Sequence, residues 1–165
     1  MQGPLAETPH STATSAPGAH GDRPGAARGG PIIPLEAAKF PAARVLVVDD
    51  EGLLRWSLSE MLHAAGYQVL QARDGREARL AFADDAHPLD AILLDLKLPD
   101  VYGLQLIQEA RRHCAGCPIV IMTAYGTADV VEAALSAGAA RVLTKPFDLD
   151  LMVGLLRELC PARCH

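Results

Sequence analysis

From Arg44 onward the sequence alternates short runs of branched apolar residues with longer stretches of helical period, five times over. The strands expected from these runs are Arg44 to Val48, Gln68 to Gln71, Ala91 to Leu94, Pro118 to Met122 and Arg141 to Leu143, each followed by a helix-like segment. Leu54, Leu58, Met61, Leu62 and Ala65 share one face of the first helix before Gly66 ends it, and Asp74 with Glu77 reads as a capping box for the second. Leu104, Ile107 and Ala110, then Val130, Val131, Ala134 and Leu135, then Leu151, Leu155 and Leu159 supply the apolar faces of the later helices. Each helix must cover the sheet while carrying the chain to the next parallel strand. The expectation is therefore a doubly wound α/β domain with helices on both faces of a parallel sheet.

In such sheets ligands bind beyond the carboxyl ends of the strands, where the strand order reverses. The first strand ends in Asp49 and Asp50, the third in Asp95, the fourth in Thr123 and the fifth in Lys145. Three neighbouring carboxylates repel one another. With one ammonium and one hydroxyl they suit a hard divalent cation, and Mg²⁺ takes a couple of carboxylates and keeps several waters. With Mg²⁺ and Lys145 present, the oxygens of a phosphoryl group also find compensating charge, which makes Asp95 a candidate nucleophile and Thr123 a candidate hydrogen-bond donor. Glu51 reads as a solvated first-turn acid, and Asp100 and Asp148 as turn or cap residues. Trp56 is a packing or partner-facing residue.

Composition narrows the partners. A chain of 165 residues, half of them apolar, holds about one domain. The net charge of −5 and the absence of a Lys/Arg cluster argue against nucleic acid or an anionic membrane as the main partner. Neither a membrane span nor a secretory leader is written in the sequence, so a cytoplasmic location is expected. Residues 1–43 carry seven of the 12 prolines among Gly, Ala, Ser and Thr, and are expected to form a disordered tail, with residues 161–165 as a short second tail. A docking arm at Pro31-Ile32-Ile33-Pro34 is the alternative for that segment. Cys114 and Cys117 form a CxxC after the third helix, and Cys160 and Cys164-His165 close the chain. Both pairs are expected at the end of the sheet opposite Asp95, where zinc or a redox disulfide is conceivable, although cytosolic thiols are ordinarily reduced.

The segments VLVVDDE, LLDLKLPD, MTAYG and TKPFD, in this order and spacing, resemble the receiver domain of bacterial two-component response regulators over residues 44–160. Leu-Leu-Arg-Trp-Ser-Leu in the first helix and the stretch from Met122 to Asp148 are most similar to receivers of the nitrogen-regulation type of enhancer-binding activator. The resemblance implies a CheY-like, flavodoxin-like sheet of order 2-1-3-4-5. It implies that Asp95 accepts a phosphoryl group from a sensor histidine kinase or phosphotransfer protein. Asp50 and Asp95 would bind Mg²⁺ directly with the backbone carbonyl of Lys97, Asp49 would act through water, and Thr123 and Lys145 would contact the phosphoryl oxygens. A cis Lys145-Pro146 bond is implied as well.

Two positions depart from the family. Val142 stands where the fifth strand usually carries a switch aromatic, three residues before the lysine, and Tyr102 where an acid commonly precedes the glycine. Lys97 and Tyr125 flank the site and are large enough to influence the approach of water. After Lys145 there is room only for a last helix, so a stand-alone receiver is expected, acting through about residues 127–160 on an output protein or on a second copy of itself. Three readings stand: a phosphorylatable switch, with no catalysis beyond self-phosphorylation and self-dephosphorylation; a phosphate-independent interaction module, which Val142 favours; and a haloacid-dehalogenase-type phosphatase. The last expects an acid two residues after the nucleophile, where this chain has Lys97.

Overall fold

The computed structural model describes residues 42–160. The order is β1 (Arg44–Val48), α1 (Gly52–Ala64), β2 (Gln68–Ala72), α2 (Gly75–Phe82), β3 (Ala91–Asp95), α3 (Gly103–His113), β4 (Ile119–Thr123), α4 (Ala128–Ser136), β5 (Arg141–Thr144) and α5 (Leu149–Leu159). All five strands run parallel in the order β2-β1-β3-β4-β5, as expected. Apart from Ala43, whose buried side chain and backbone join the sheet, the segments read as tails, with Pro31 to Pro34 and Cys164, lie outside the described residues or at their margin.

The sheet explains the unbroken apolar runs. β3 and β4 are buried at every position and β1 at all but Arg44, because helices cover both faces. Side chains alternate across it with a period of two. Leu46, Val48, Ile92, Leu94, Ile119 and Ile121 meet Phe82, Leu106, Ile107 and Ala134 of α2, α3 and α4 on one face. Val45, Val47, Leu93, Val120 and Met122 meet Leu58, Leu62, Met152 and Leu156 of α1 and α5 on the other.

Local signals hold with adjustments. Gly66, at φ 92°, follows α1 in the left-handed conformation, and the Tyr67 and Gly66 amides return to the Leu62 and His63 carbonyls at 3.0 Å. The Asp74 carboxylate accepts from the Glu77 amide at 2.8 Å, but Glu77 reaches back to the amide of Arg73 rather than of Asp74, so the capping box is shifted by one residue. The expected faces of α4 and α5 need correction. Leu135 is 46% exposed and Leu151 55% exposed, whereas Ala134 and the trio Met152, Val153 and Leu156 are buried. LDLMVGLLREL carries two apolar stripes, and the helical period does not choose between them; contact with the sheet does.

Candidate functional site

The strand ends converge as expected. Asp49, one residue past β1, is buried; Asp95 and Thr123 are the last residues of β3 and β4 and nearly as buried; Asp50 is exposed. Lys145 follows β5. Its Nζ lies 2.8 Å from Asp49 Oδ2 and 2.6 Å from Asp95 Oδ2, so one ammonium bridges two carboxylates from different strands.

Each acid is also held by the backbone beyond it. Asp49 Oδ1 accepts from the Glu51 amide at 2.8 Å, and Asp95 Oδ1 from the Lys97 amide at 2.9 Å. The Thr123 hydroxyl oxygen accepts from the Tyr125 amide at 3.0 Å, which occupies the oxygen and not its proton. Burial pushes the Asp49 carboxyl above its ordinary range, against the opposing hydrogen bonds from Lys145 and the Glu51 amide. Burial acts to lower Lys145, but its hydrogen bonds to Asp49 and Asp95 outweigh this and raise it.

A crevice of about 390 Å³ opens over these groups, lined by Asp50, Glu51, Asp95 and Lys145 and walled by Lys97, Leu98, Pro99 and Tyr125. Glu51, read as a plain first-turn acid, is thus part of the wall. The Lys97 ammonium sits 5.8 Å from the centre of the Tyr125 ring, so the two flanking residues meet across the opening. Asp49, Asp50 and Asp95 each offer a carboxylate oxygen within 4.8 Å of the others, the one such group among the described residues. Three carboxylates against one ammonium leave two negative charges, and the donors are all hard oxygens. A small divalent cation fits that donor set and zinc or copper with their nitrogen and sulfur preferences do not.

Two supports were not legible in the sequence. Arg55 Nη1 of α1 donates to the Asp49 carbonyl at 2.6 Å and ties the end of β1 to the helix. Asp100, read as a turn or cap residue, caps a helix other than the one that follows it: its oxygens accept from the Gly75 and Arg76 amides at 2.8 and 3.0 Å, fastening the β3–α3 loop to the start of α2. Neither contact has a periodic signature, and the second joins residues 24 and 25 apart in the chain. Asp148 caps its own helix through the Asp150 amide, and Trp56 is 56% exposed, which decides for a surface position. Lys145-Pro146 is cis. Val142 is partly buried against the core cluster of α2, α3 and α4, at the register position opposite Ile121. No helix among the described residues is long and apolar enough to cross a membrane.

The β2-β1-β3-β4-β5 sheet with an acidic crevice at its strand ends is the architecture of a CheY-like receiver, a signalling domain. The chain belongs to the response regulator receiver domain family, whose model matches residues 45–157. It is similar to regulatory protein AtoC of Escherichia coli and to the DNA-binding transcriptional regulator NtrC of Salmonella typhimurium. They are 39% and 35% identical over 107 and 114 residues, 65% and 69% of this chain but only 23% and 24% of theirs. It is 32% identical to sporulation initiation phosphotransferase F of Bacillus subtilis over 122 residues, 74% of this chain and 97% of that one. Among solved structures it resembles a response regulator protein from Burkholderia pseudomallei with a phosphorylated aspartic acid, calcium ion and citrate. That match has a TM-score of 0.64 at 28% identity and covers 69% of this chain and 66% of the other.

Proposed function

We propose that this receiver is a phosphorylatable switch in a two-component phosphorelay, with Asp95 as its phosphoacceptor. The observation that carries the reading is the Lys145 ammonium shared by Asp49 and Asp95 at the floor of a crevice open to solvent. An Asp95 carboxylate oxygen attacks phosphorus, and the histidine nitrogen of a sensor kinase or phosphotransfer protein leaves. Lys145 is within reach to follow the charge from the carboxylate to the phosphoryl oxygens, and the Thr123 hydroxyl has its proton to donate to another of them. Asp50 and Asp95, with Asp49 through water and the Lys97 backbone carbonyl, would hold Mg²⁺, which when bound offsets the negative charge of carboxylates and phosphate together. The Burkholderia structure, with its phosphorylated aspartic acid and calcium ion, supports this reading by likeness.

Output through residues 127–160 is supported by Leu135 and Leu151, large apolar side chains left on the surface of α4 and α5. The partner is a protein, or a second copy of the receiver, in the cytoplasm where kinases present their phosphohistidine. The match to sporulation initiation phosphotransferase F, 97% of whose length is covered, supports a signalling role for a receiver of this extent. The second reading, a phosphate-independent interaction module, is favoured by one observation: Val142 has no ring to rotate toward the site.

Phosphoryl incorporation from a small acyl-phosphate donor, followed by intact mass with and without Mg²⁺, separates the two. Incorporation that requires both Mg²⁺ and Asp95, and is lost in Asp95→Asn, is the expected result. A folded chain that takes up no phosphoryl group is the phosphate-independent module.

A further inference from the structure

We propose that Cys114 and Cys117 are a redox modification site, a dithiol that closes into a disulfide across the α3–β4 turn on meeting a low-molecular-weight disulfide. The turn Cys114-Ala115-Gly116-Cys117 begins where α3 stops, and the Cys117 amide donates to the Cys114 carbonyl at 3.3 Å. Such an i to i+3 bond closes a turn whose end Cα atoms lie within about 7 Å. A disulfide spans Cα separations of about 4.4–6.8 Å, which overlaps the span such a turn allows. Nothing stands within 4 Å of where a Gly116 side chain would be, which leaves the turn room to adjust.

Both thiols sit at the end of the sheet opposite Asp95, Cys114 Sγ at 3.8 Å from the Leu89 carbonyl. Cys160 approaches the same place, its Sγ donating to the Asp90 carbonyl at 3.2 Å. Three sulfurs invite a soft metal, but their positions do not form a cage: among the described residues, only the Asp49, Asp50 and Asp95 group brings three metal-binding atoms within 4.8 Å of one another. Zinc–thiolate bonds of about 2.3 Å would require tighter convergence. Two adjoining thiols across a turn suit a disulfide instead.

The chemistry closes without the metal. Cys114, the more exposed of the two, attacks one sulfur of the oxidant as thiolate, forming a mixed disulfide and releasing one low-molecular-weight thiolate. Cys117 then loses its proton and its sulfur attacks that of Cys114, releasing the second thiolate. Two protein thiols are oxidised and one small disulfide is reduced to two thiols. Burial raises the Cys117 thiol, which slows the second step relative to the first.

Arg111 carries the consequence outward. From α3 its guanidinium donates to the Ala115 and Cys117 carbonyls at 3.1 and 2.6 Å and also to the Gly138 carbonyl, between α4 and β5. Closing the turn moves two of its three acceptors, so the connection leading into β5 feels the oxidation state.

The test uses the full reduced chain, assayed for zinc, then given a chelator, exposed to oxidised glutathione, alkylated and mapped by mass spectrometry with parallel amide NMR. Expected are loss of two hydrogens, joint protection of Cys114 and Cys117 until reductant is added, and shifts of the Arg111 and Gly138 amides. Cys117→Ser should stall with one glutathione on Cys114. Unchanged alkylation of Cys114 and Cys117, oxidation confined to Cys160 or to bonds between chains, or stoichiometric zinc on the reduced chain protecting the pair would overturn the proposal. The native-chain mapping decides even where the variant folds poorly.

Discussion

Gly103→Ala tests the claim that α3 is seated directly on the backbone carrying Asp95. A Cβ at Gly103 would stand 2.7 Å from Leu96 Cα, 2.8 Å from the Asp95 carbonyl oxygen and 3.1 Å from Leu96 Cδ2. Carbon atoms prefer about 3.5–4.0 Å, so the deficit against Cα approaches 1 Å. Neither backbone atom has a rotamer to yield. The Gly103 amide is bonded to the Leu96 carbonyl at 2.8 Å, and the Leu96 amide to the Met122 carbonyl at 3.3 Å, so relief must shift the helix start or the end of β3. Overpacking of this kind costs about 1–3 kcal/mol. Only a fraction is returned by the better helix propensity of alanine, because its value of about 1 kcal/mol applies in a helix interior and Gly103 is the first residue of α3. A net loss of about 1–2 kcal/mol lowers the urea midpoint by roughly 0.5–1 M at an m-value of about 2 kcal/mol/M. Gly154→Ala on the exposed side of α5, where nothing stands within 4 Å, is the control and should gain about 0.5–1 kcal/mol. Urea unfolding of both variants, with phosphoryl uptake measured on the folded Gly103→Ala protein, reads stability and site geometry together. A Gly103→Ala midpoint within about 0.2 M of the native chain would refute the seating argument.

Mg²⁺ at about 100 times its dissociation constant should stabilise the native chain by about 2.7 kcal/mol, seen as a rise in thermal midpoint that chelator reverses. Asp50→Asn, at an exposed position, should fold normally and lose most of that rise; an equal rise in both would remove Asp50 from the metal site. Without metal, the raised Asp49 carboxyl means that the folded chain binds its proton more tightly than the unfolded chain does. Stability therefore falls as pH climbs from the ordinary carboxylate range through the raised value, and levels off above it. Asp49→Asn should lack that fall, so its midpoint relative to native should climb over the same interval; a difference of opposite slope sinks the assignment. Leu106→Ala, fully buried, should cost about 2–5 kcal/mol, and Leu135→Ala about 0.5 kcal/mol or less, by denaturant unfolding. Comparable losses would mean that α4 faces the sheet through Leu135 after all.

The strand-end residues were legible because a parallel sheet buried on both faces writes itself as uninterrupted apolar runs, and the polar residues at the end of each run are forced to the rim. Asp49, Asp95, Thr123 and Lys145 follow from that single constraint. Helix rotation did not follow in the same way. In α1 one stripe is apolar and Leu58 and Leu62 were placed correctly, whereas α5 offers two stripes and only the sheet's shape selects Met152, Val153 and Leu156.

What the sequence hides are pairings between residues far apart in the chain, and here these set the tightness of the site. Asp49 is uncomfortable by itself, and its burial is tolerated because Lys145 lies 96 residues away in sequence and 2.8 Å away in space. The carbonyl of the same residue is anchored by Arg55, and Asp100 secures the loop beyond Asp95 to α2. Three elements thus hold two acids close enough to repel. Under the proposed function, a phosphoryl group on Asp95 would alter the charge that Lys145 answers to, where β1, β3 and β5 all end. That makes the lysine, rather than the missing aromatic at Val142, the group through which β5 and the helices beside it would first sense phosphorylation.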